Sequence, residues 1–495
     1  MATLSTAPEA RQAPAAEESL GARRIGVPGL VFTIIAASAP LTVVAGGVPS
    51  NFAVTGLLGI PLSFAVLGVL LLLFSIGYGA MSRHVHNAGA FFAYIAKGLG
   101  RPAGVGASIV ALISYNCMQI GIAGMFGFVF SSFLAGVMGL SLPWWVCGLC
   151  AWVVVGILGL NRVDLSAKVL GVVVTTEFLV VVVYDVIGLG TAPEGISADG
   201  LLPDQLFAAG VGAALVFSIA AFMGFESGAI YNEEVKDPRT TASRATLIAI
   251  VLIAAFYASS GWAMTMAEGP GGVIGRSQEL GPDLMFAFLA EHSPIWFVDL
   301  ANILFMTSLI AALLAFHNIV ARYFFALGRE RILPEVFART SRRTGAPIAG
   351  SIAQSVLALV VMGLFVIAQP ADADPLYPVV TLFTWLTNMG AFGLVLLMAM
   401  TSVAVVGFLR GFGREYSVWT RLIAPGLAAL GLIGLFVLVI VNFSVLIGAT
   451  GPSTLTWLLP AIVVVPGALG TAWALWLRAT RPVVYAGIGT GGEMT

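Results

Sequence analysis

The stretch "SIAAFMGFESGAIYNEEVKDPRT", residues 218–240, begins as apolar as the inside of a bilayer, sets Glu226 among small residues, and ends in a burst of charge. An ionisable side chain inside such a run is expensive, so it points to function before structure. Gly224 and Gly228 flank it, and glycine weakens a helix. The stretch therefore reads as a transmembrane helix interrupted halfway, with a carboxyl group at the interruption.

The rest of the chain has the composition to match. Of 495 residues, 59% are hydrophobic and only 9% charged, too little charge to cover a soluble protein of this length. Apolar runs of about 20 residues, enough to cross a bilayer as a helix, lie at 28–52, 57–80, 104–136, 142–160, 166–190, 206–234, 240–267, 294–330, 347–369, 376–409, 421–447 and 456–478. Lipid offers no partner for exposed backbone groups, so every run must be helical. The expectation is an all-α integral membrane protein with twelve transmembrane helices.

Orientation follows from Lys and Arg, which short cytoplasmic loops retain. With the N-terminus inside, every one of them falls on the cytoplasmic side except Arg276. A plasma-membrane protein with both termini cytoplasmic is expected. Residues 1–24, rich in Ala, Pro, Glu and Ser, read as a disordered cytoplasmic tail, and 479–495 as a second tail. The first run lacks a cleavage pattern and is longer than a signal-peptide core. Net charge of -1 points to no nucleic-acid partner, and Cys117, Cys147 and Cys150 read as small packing residues.

The first run contains "IIAASAPLTVVAGGVPS", in which Pro40 removes a backbone donor at what should be mid-membrane depth. The sixth run carries its own break at "MGFESG". Five helices separate the two positions, so the second copy would run in the opposite direction. Paired interruptions in an inverted repeat are the best sequence pointer to a midplane binding site.

Three segments carry a family resemblance. "GFESGAIYNEEVKDPRTTASRA" (224–245) resembles the helix-6 signature of the amino acid/polyamine/organocation permease superfamily. "HVHNAGAFFAYIAKGLGRPAG" (84–104) resembles that family's loop between helices 2 and 3, and "ARYFFALGRERILPEVFARTSRRTGAP" (321–347) its helix-8 exit. The resemblance, over about residues 25–480, implies two inverted five-helix repeats plus two further helices. Residues 25–190 would form the first repeat (helices 1–5), 206–410 the second (helices 6–10), and 421–478 helices 11 and 12. It also implies alternating-access transport of an amino acid, polyamine or related organic cation.

The resemblance places the substrate at both breaks: Ser38, Ala39, Pro40 and Thr42 in the first, Phe222, Gly224, Phe225, Glu226 and Ser227 in the sixth, with Phe316 closing from helix 8. Many family members hold a substrate carboxylate on bare amides of a G-S-G sequence at the first break. Pro40 has no amide proton, so a ligand recognised mainly by its ammonium group stays open; Gly46 and Gly47 could open the backbone instead. Asn116 and Gln119, three apart on helix 3, are either ligand contacts or interhelical hydrogen bonds.

Glu226 and Glu177 are the candidate ion-coupling groups. Glu226 would take up a proton as substrate binds; its structural alternative is a strut across the broken helix. Glu177 lies near the middle of helix 5, where several proton-driven family members place a lysine. It would accept the coupling proton, or help ligate sodium with Thr307 and Ser308, since such oxygens suit a hard cation. Asp185 reads as solvated, and His317 as bonded to a neighbouring helix. The "EEVKDPR" run, 233–239, reads as an inner latch with the helix-8 exit.

The expected function is a secondary transporter of an amino acid or small organic amine, proton-coupled, with sodium coupling, polyamine transport and exchange as alternatives. A channel would show repeated pore-lining rings, and an ATP-driven pump a G-x-x-x-x-G-K-[ST] loop; the sequence has neither. No enzyme activity, no cofactor and no metal site is read from it. The bilayer, the substrate and the coupling proton are the expected partners.

Overall fold

Each apolar run folds where its punctuation allows. Proline at the first or second helical position, where its missing amide costs nothing, opens the helices Val27–Ser38, Ile60–Met81 and Arg101–Met138. Gly139, in the left-handed region at φ 64°, closes the last of these, its N–H donating to Ala135 and the Leu140 N–H to Leu134. The computed structural model describes residues 25–85, 91–161, 167–226, 228, 235–237, 240–341, 343–413, 415–449 and 452–489. The tail 1–24, Ser227 and most of the "EEVKDPR" run lie outside them.

Among the described residues the chain is all-helical apart from an isolated bridge between Ile25 and Val235. Ten helices are long and apolar enough to cross a membrane. Two shorter apolar helices, Trp144–Leu160 and Val211–Ala220, fall in the fourth and sixth runs. Observed helix limits lie within a few residues of the apolar runs, with the sixth the exception: it starts only at Val211, after Gly210 at φ 95°.

The third run is the axle. It packs along the eighth, tenth and twelfth, while the seventh packs along the second. Close approach is made by small residues: a Cβ on Gly106 would sit 2.8 Å from the Gly467 carbonyl oxygen of the twelfth run. Without water between helices, such close packing and interhelical bonds hold a bundle together. The outer runs instead present bulky apolar groups outward, with Ile367 83% and Val441 72% exposed, as a lipid-facing surface requires.

The first run divides into two helices, Val27–Ser38 and Val48–Thr55. Between them lie the break and a wide π-helical turn, Thr42–Gly47. Gly46 and Gly47 therefore sit in helical backbone and do not form a second opening. At the other end of the chain, the expected C-terminal tail begins as a short helix, Pro482–Gly487, held by Arg101, whose guanidinium donates to the Ala486 and Ile488 carbonyls.

Candidate functional site

At the first break Ala39 adopts a left-handed conformation, φ 47°, which an L-residue with a side chain adopts only at a cost. Its N–H turns back to the Ala36 carbonyl at 3.1 Å, ending the first half-helix. Pro40 has no donor. The Leu41 N–H points sideways to the Glu177 carboxylate, Oε2 at 3.4 Å, and the Ser38 carbonyl accepts from the Tyr257 hydroxyl at 3.1 Å.

The sixth run ends its helix at Ala220 and passes through tight turns from Ala221 to Glu226. Gly224 stands at φ 104°, a conformation that favours glycine. A Cβ there would lie 2.8 Å from the Ala37 side chain of the first run, so the two breaks meet back to back. The Gly224 N–H donates to Glu226 Oε2 at 3.0 Å, and the Tyr115 hydroxyl donates to Oε1. Tyr78 donates to the Glu226 carbonyl at 3.4 Å. Glu226 is buried, and neutral donors hold it on both oxygens.

Glu177, also buried, receives both its donors on one oxygen. Besides Leu41 N–H, Ser308 Oγ of the eighth run donates to Oε2 at 3.0 Å, and Thr42 Oγ1 donates to Ser308 at 3.1 Å. Three oxygens from three runs thus lie together. Thr307, expected beside Ser308, is exposed and bonds its own helix at Leu304; residues one apart on a helix do not share a face.

Between the breaks lies a cavity of about 60 Å³, a volume that several water molecules would fill. Ser38, Ala39 and Thr42 line it from the first break, Ala220, Ala221 and Met223 from the sixth run, and Phe316 from the eighth. Phe64, Phe217 and Phe383 add aromatic walls, and Asn51 and Thr387 polar ones. On the third run Met118 and Ile122 face it.

Several of the expected site residues stand elsewhere. Gln119 accepts from Gln354 of the ninth run at 2.7 Å, and Asn116 donates to the Leu112 carbonyl of its own helix; neither lines the cavity. Phe222 packs on Phe64 and Tyr257, and Phe225 edge-on to Phe74. Pro40, Gly224 and Glu226 shape the breaks without lining the cavity. Ser227 lies outside the described residues.

His317 is bonded to Ser351 Oγ at 2.7 Å. Asp185 is not the solvated group its position suggests: Oδ2 accepts from Ser260 at 2.8 Å, and Oδ1 is buried without a partner among the described residues. Met118 and Ile122 were illegible as lining residues, because a helix buried on all sides has no polar face to give its orientation away.

The break donors are largely committed. The Leu41 and Gly224 amides serve carboxylates, and the Phe222, Met223 and Phe225 amides close turns on Ile219, Ala220 and Phe222. The cavity presents mainly aliphatic side chains and four phenylalanine rings, with Ser38, Thr42, Asn51 and Thr387 as its polar groups. Aromatic faces attract ammonium groups.

No curated protein matches the chain. The family model described as Amino acid permease matches residues 26–468, which takes in both breaks, the cavity and both buried carboxylates. With ten candidate membrane spans around a cavity at two helix breaks, the chain belongs to the amino acid permease family of the amino acid/polyamine/organocation superfamily, a family of membrane transporters and not of enzymes.

Proposed function

We propose that the protein is a proton-linked secondary carrier of an amino acid or small organic amine, working by alternating access around the cavity at the breaks. The observation that supports this most is a correspondence: each break turns one backbone amide onto a buried glutamate, Leu41 onto Glu177 and Gly224 onto Glu226. Protonating either carboxyl weakens a charge-assisted bond that holds the backbone of its break. Proton uptake is thereby linked to the segments that must move.

In this reading the fourth and sixth runs also cross the membrane, giving twelve spans in two inverted repeats, with both termini cytoplasmic at the plasma membrane. Ser38, Ala39, Thr42 and Phe316 contact the substrate, and the paucity of uncommitted amides favours recognition by its ammonium group. The oxygens of Glu177, Ser308 and Thr42 favour a second reading, sodium coupling, because they are hard ligands from three helices.

Reconstituted vesicles separate the two. Uptake driven by an inward proton gradient without sodium is expected; uptake that needs sodium and ignores pH selects the second reading. A thermal-shift screen against amino acids, diamines and polyamines names the ligand, since whatever binds the folded state alone raises its melting temperature. Decarboxylated analogues should then compete about as well as the parent amino acids.

A further inference from the structure

Between the second and seventh runs, next to the sixth-run break, lies a second pocket. It is small, about 10 Å³, and lined by Ser75, Tyr78, Gly79 and Ser82 of the second run and Ala242, Ser243 and Thr246 of the seventh. That is the size of one water molecule. The pocket stands at the N-terminal start of the seventh run and the C-terminal end of the second, the same side of the bundle on which the first run begins.

Ser75 marks it as polar and incomplete. Serine in a membrane helix ordinarily gives its proton to the carbonyl three or four residues earlier, as Ser63, Ser108, Ser114 and Ser402 do here. The Ser75 hydroxyl, 1% exposed, has no partner among the described residues. A buried hydroxyl left unmatched costs free energy that an ordered water recovers. Two further hydroxyls line the same space, those of Tyr78 and Thr246.

Glu226 and Gly228 of the sixth run stand close to its lining residues. Tyr78 donates to the Glu226 carbonyl, and Gly228 approaches so closely that a Cβ there would lie 2.5 Å from Thr246 Oγ1. A displacement of Glu226 and Gly228 changes both contacts.

We propose that this pocket binds one ordered water, shared by Ser75, Tyr78 and Thr246, which serves as a replaceable hydrogen-bond partner beside the break. When Glu226 and Gly228 shift, Tyr78 exchanges the Glu226 carbonyl for the water and keeps a hydrogen-bond partner. The pivot role rests on the alternating-access reading above; the water site itself does not.

The test therefore has two arms. X-ray radiolytic footprinting of the purified full chain modifies side chains beside bound water whatever their exposure. Tyr78 should label in the wild type and lose most of that labelling in Ser75→Val. Absence of labelling in the wild type overturns the site. In vesicles, Ser75→Val should lower the maximal uptake rate about five-fold, the effect of one hydrogen bond missing from the moving state, with KM unchanged. Thr246→Val, which keeps the side-chain shape, should do the same and stands in if Ser75→Val folds poorly. Labelled Tyr78 together with wild-type rates in both variants overturns the pivot. Footprinting needs no substrate, so failure of the carrier reading would leave its result standing.

Discussion

The two breaks use the same device with different reach. In the sixth run, Glu226 returns to an amide two residues before it, and its second oxygen takes the Tyr115 hydroxyl of the third run. In the first run, the amide of Leu41 is met by a carboxylate from 136 residues away in sequence, and the same oxygen takes Ser308 of the eighth run. Glu226 thus closes its own loop, whereas Glu177 ties three runs together. A change of charge at Glu226 is felt in its own break and at Tyr115 of the third run; a change at Glu177 is felt at the first and eighth runs together.

The donor pattern separates the two carboxylates further. Glutamine has one acceptor oxygen and one donor nitrogen. At 177 that single oxygen can receive both Leu41 and Ser308, so Glu177→Gln removes charge and little else. At 226 the donors are split over two oxygens, and an amide faces one of them with its own N–H. Glu226→Gln alters hydrogen bonding as well as charge.

The comparison breaks most visibly at the backbone. Gly224→Ala places a Cβ against Ala37 at a positive φ of 104°, strain of about 1–3 kcal/mol before any crowding. Loss of most uptake and a clearly lower melting temperature are expected in vesicle and thermal-melt assays. Wild-type behaviour would mean that the breaks need not touch.

Next in size is Glu226→Gln. Loss of a charge-assisted bond costs about 1.5–3 kcal/mol, so uptake should fall roughly ten-fold or more and its pH dependence flatten. Glu177→Gln should melt close to the wild type, keep substrate binding in a thermal-shift titration, and lose concentrative, gradient-driven uptake. A substrate-binding defect as large as that of Glu226→Gln would erase the distinction between the two sites.

The smallest effect belongs to Ala39→Gly. Glycine accepts φ 47° without the penalty that Ala39 bears, a gain of about 1 kcal/mol less its greater unfolded-state entropy. A melting temperature equal to or slightly above the wild type is expected; a marked drop would show that the methyl packs in the cavity wall.

Helix limits and both breaks were legible in the sequence, because hydropathy, proline and glycine act locally. The pairing of Glu177 with Ser308 was legible only through family resemblance, and Thr307 beside it failed because nothing in the sequence fixes helix rotation there. The rotation of the third run was open for the same reason. Its Asn116 and Gln119 stand out as polar letters, yet Gln119 serves Gln354, and the cavity is met by Met118 and Ile122. Asp185, close to the end of its run, looked solvated, and only packing against Ser260 revealed otherwise.

In the proposed mechanism the carboxylates at the breaks couple proton uptake to transport. The most direct test is initial uptake of the ligand found by thermal shift, in sodium-free vesicles, by wild type, Glu226→Gln and Glu177→Gln, from about pH 5 to about pH 8, the range over which perturbed carboxyls titrate. The account predicts a pH-dependent wild type, a slow and flat Glu226→Gln, and a Glu177→Gln that exchanges substrate but no longer concentrates it. A wild-type pH profile in both variants would contradict it and leave the two glutamates as struts across broken helices.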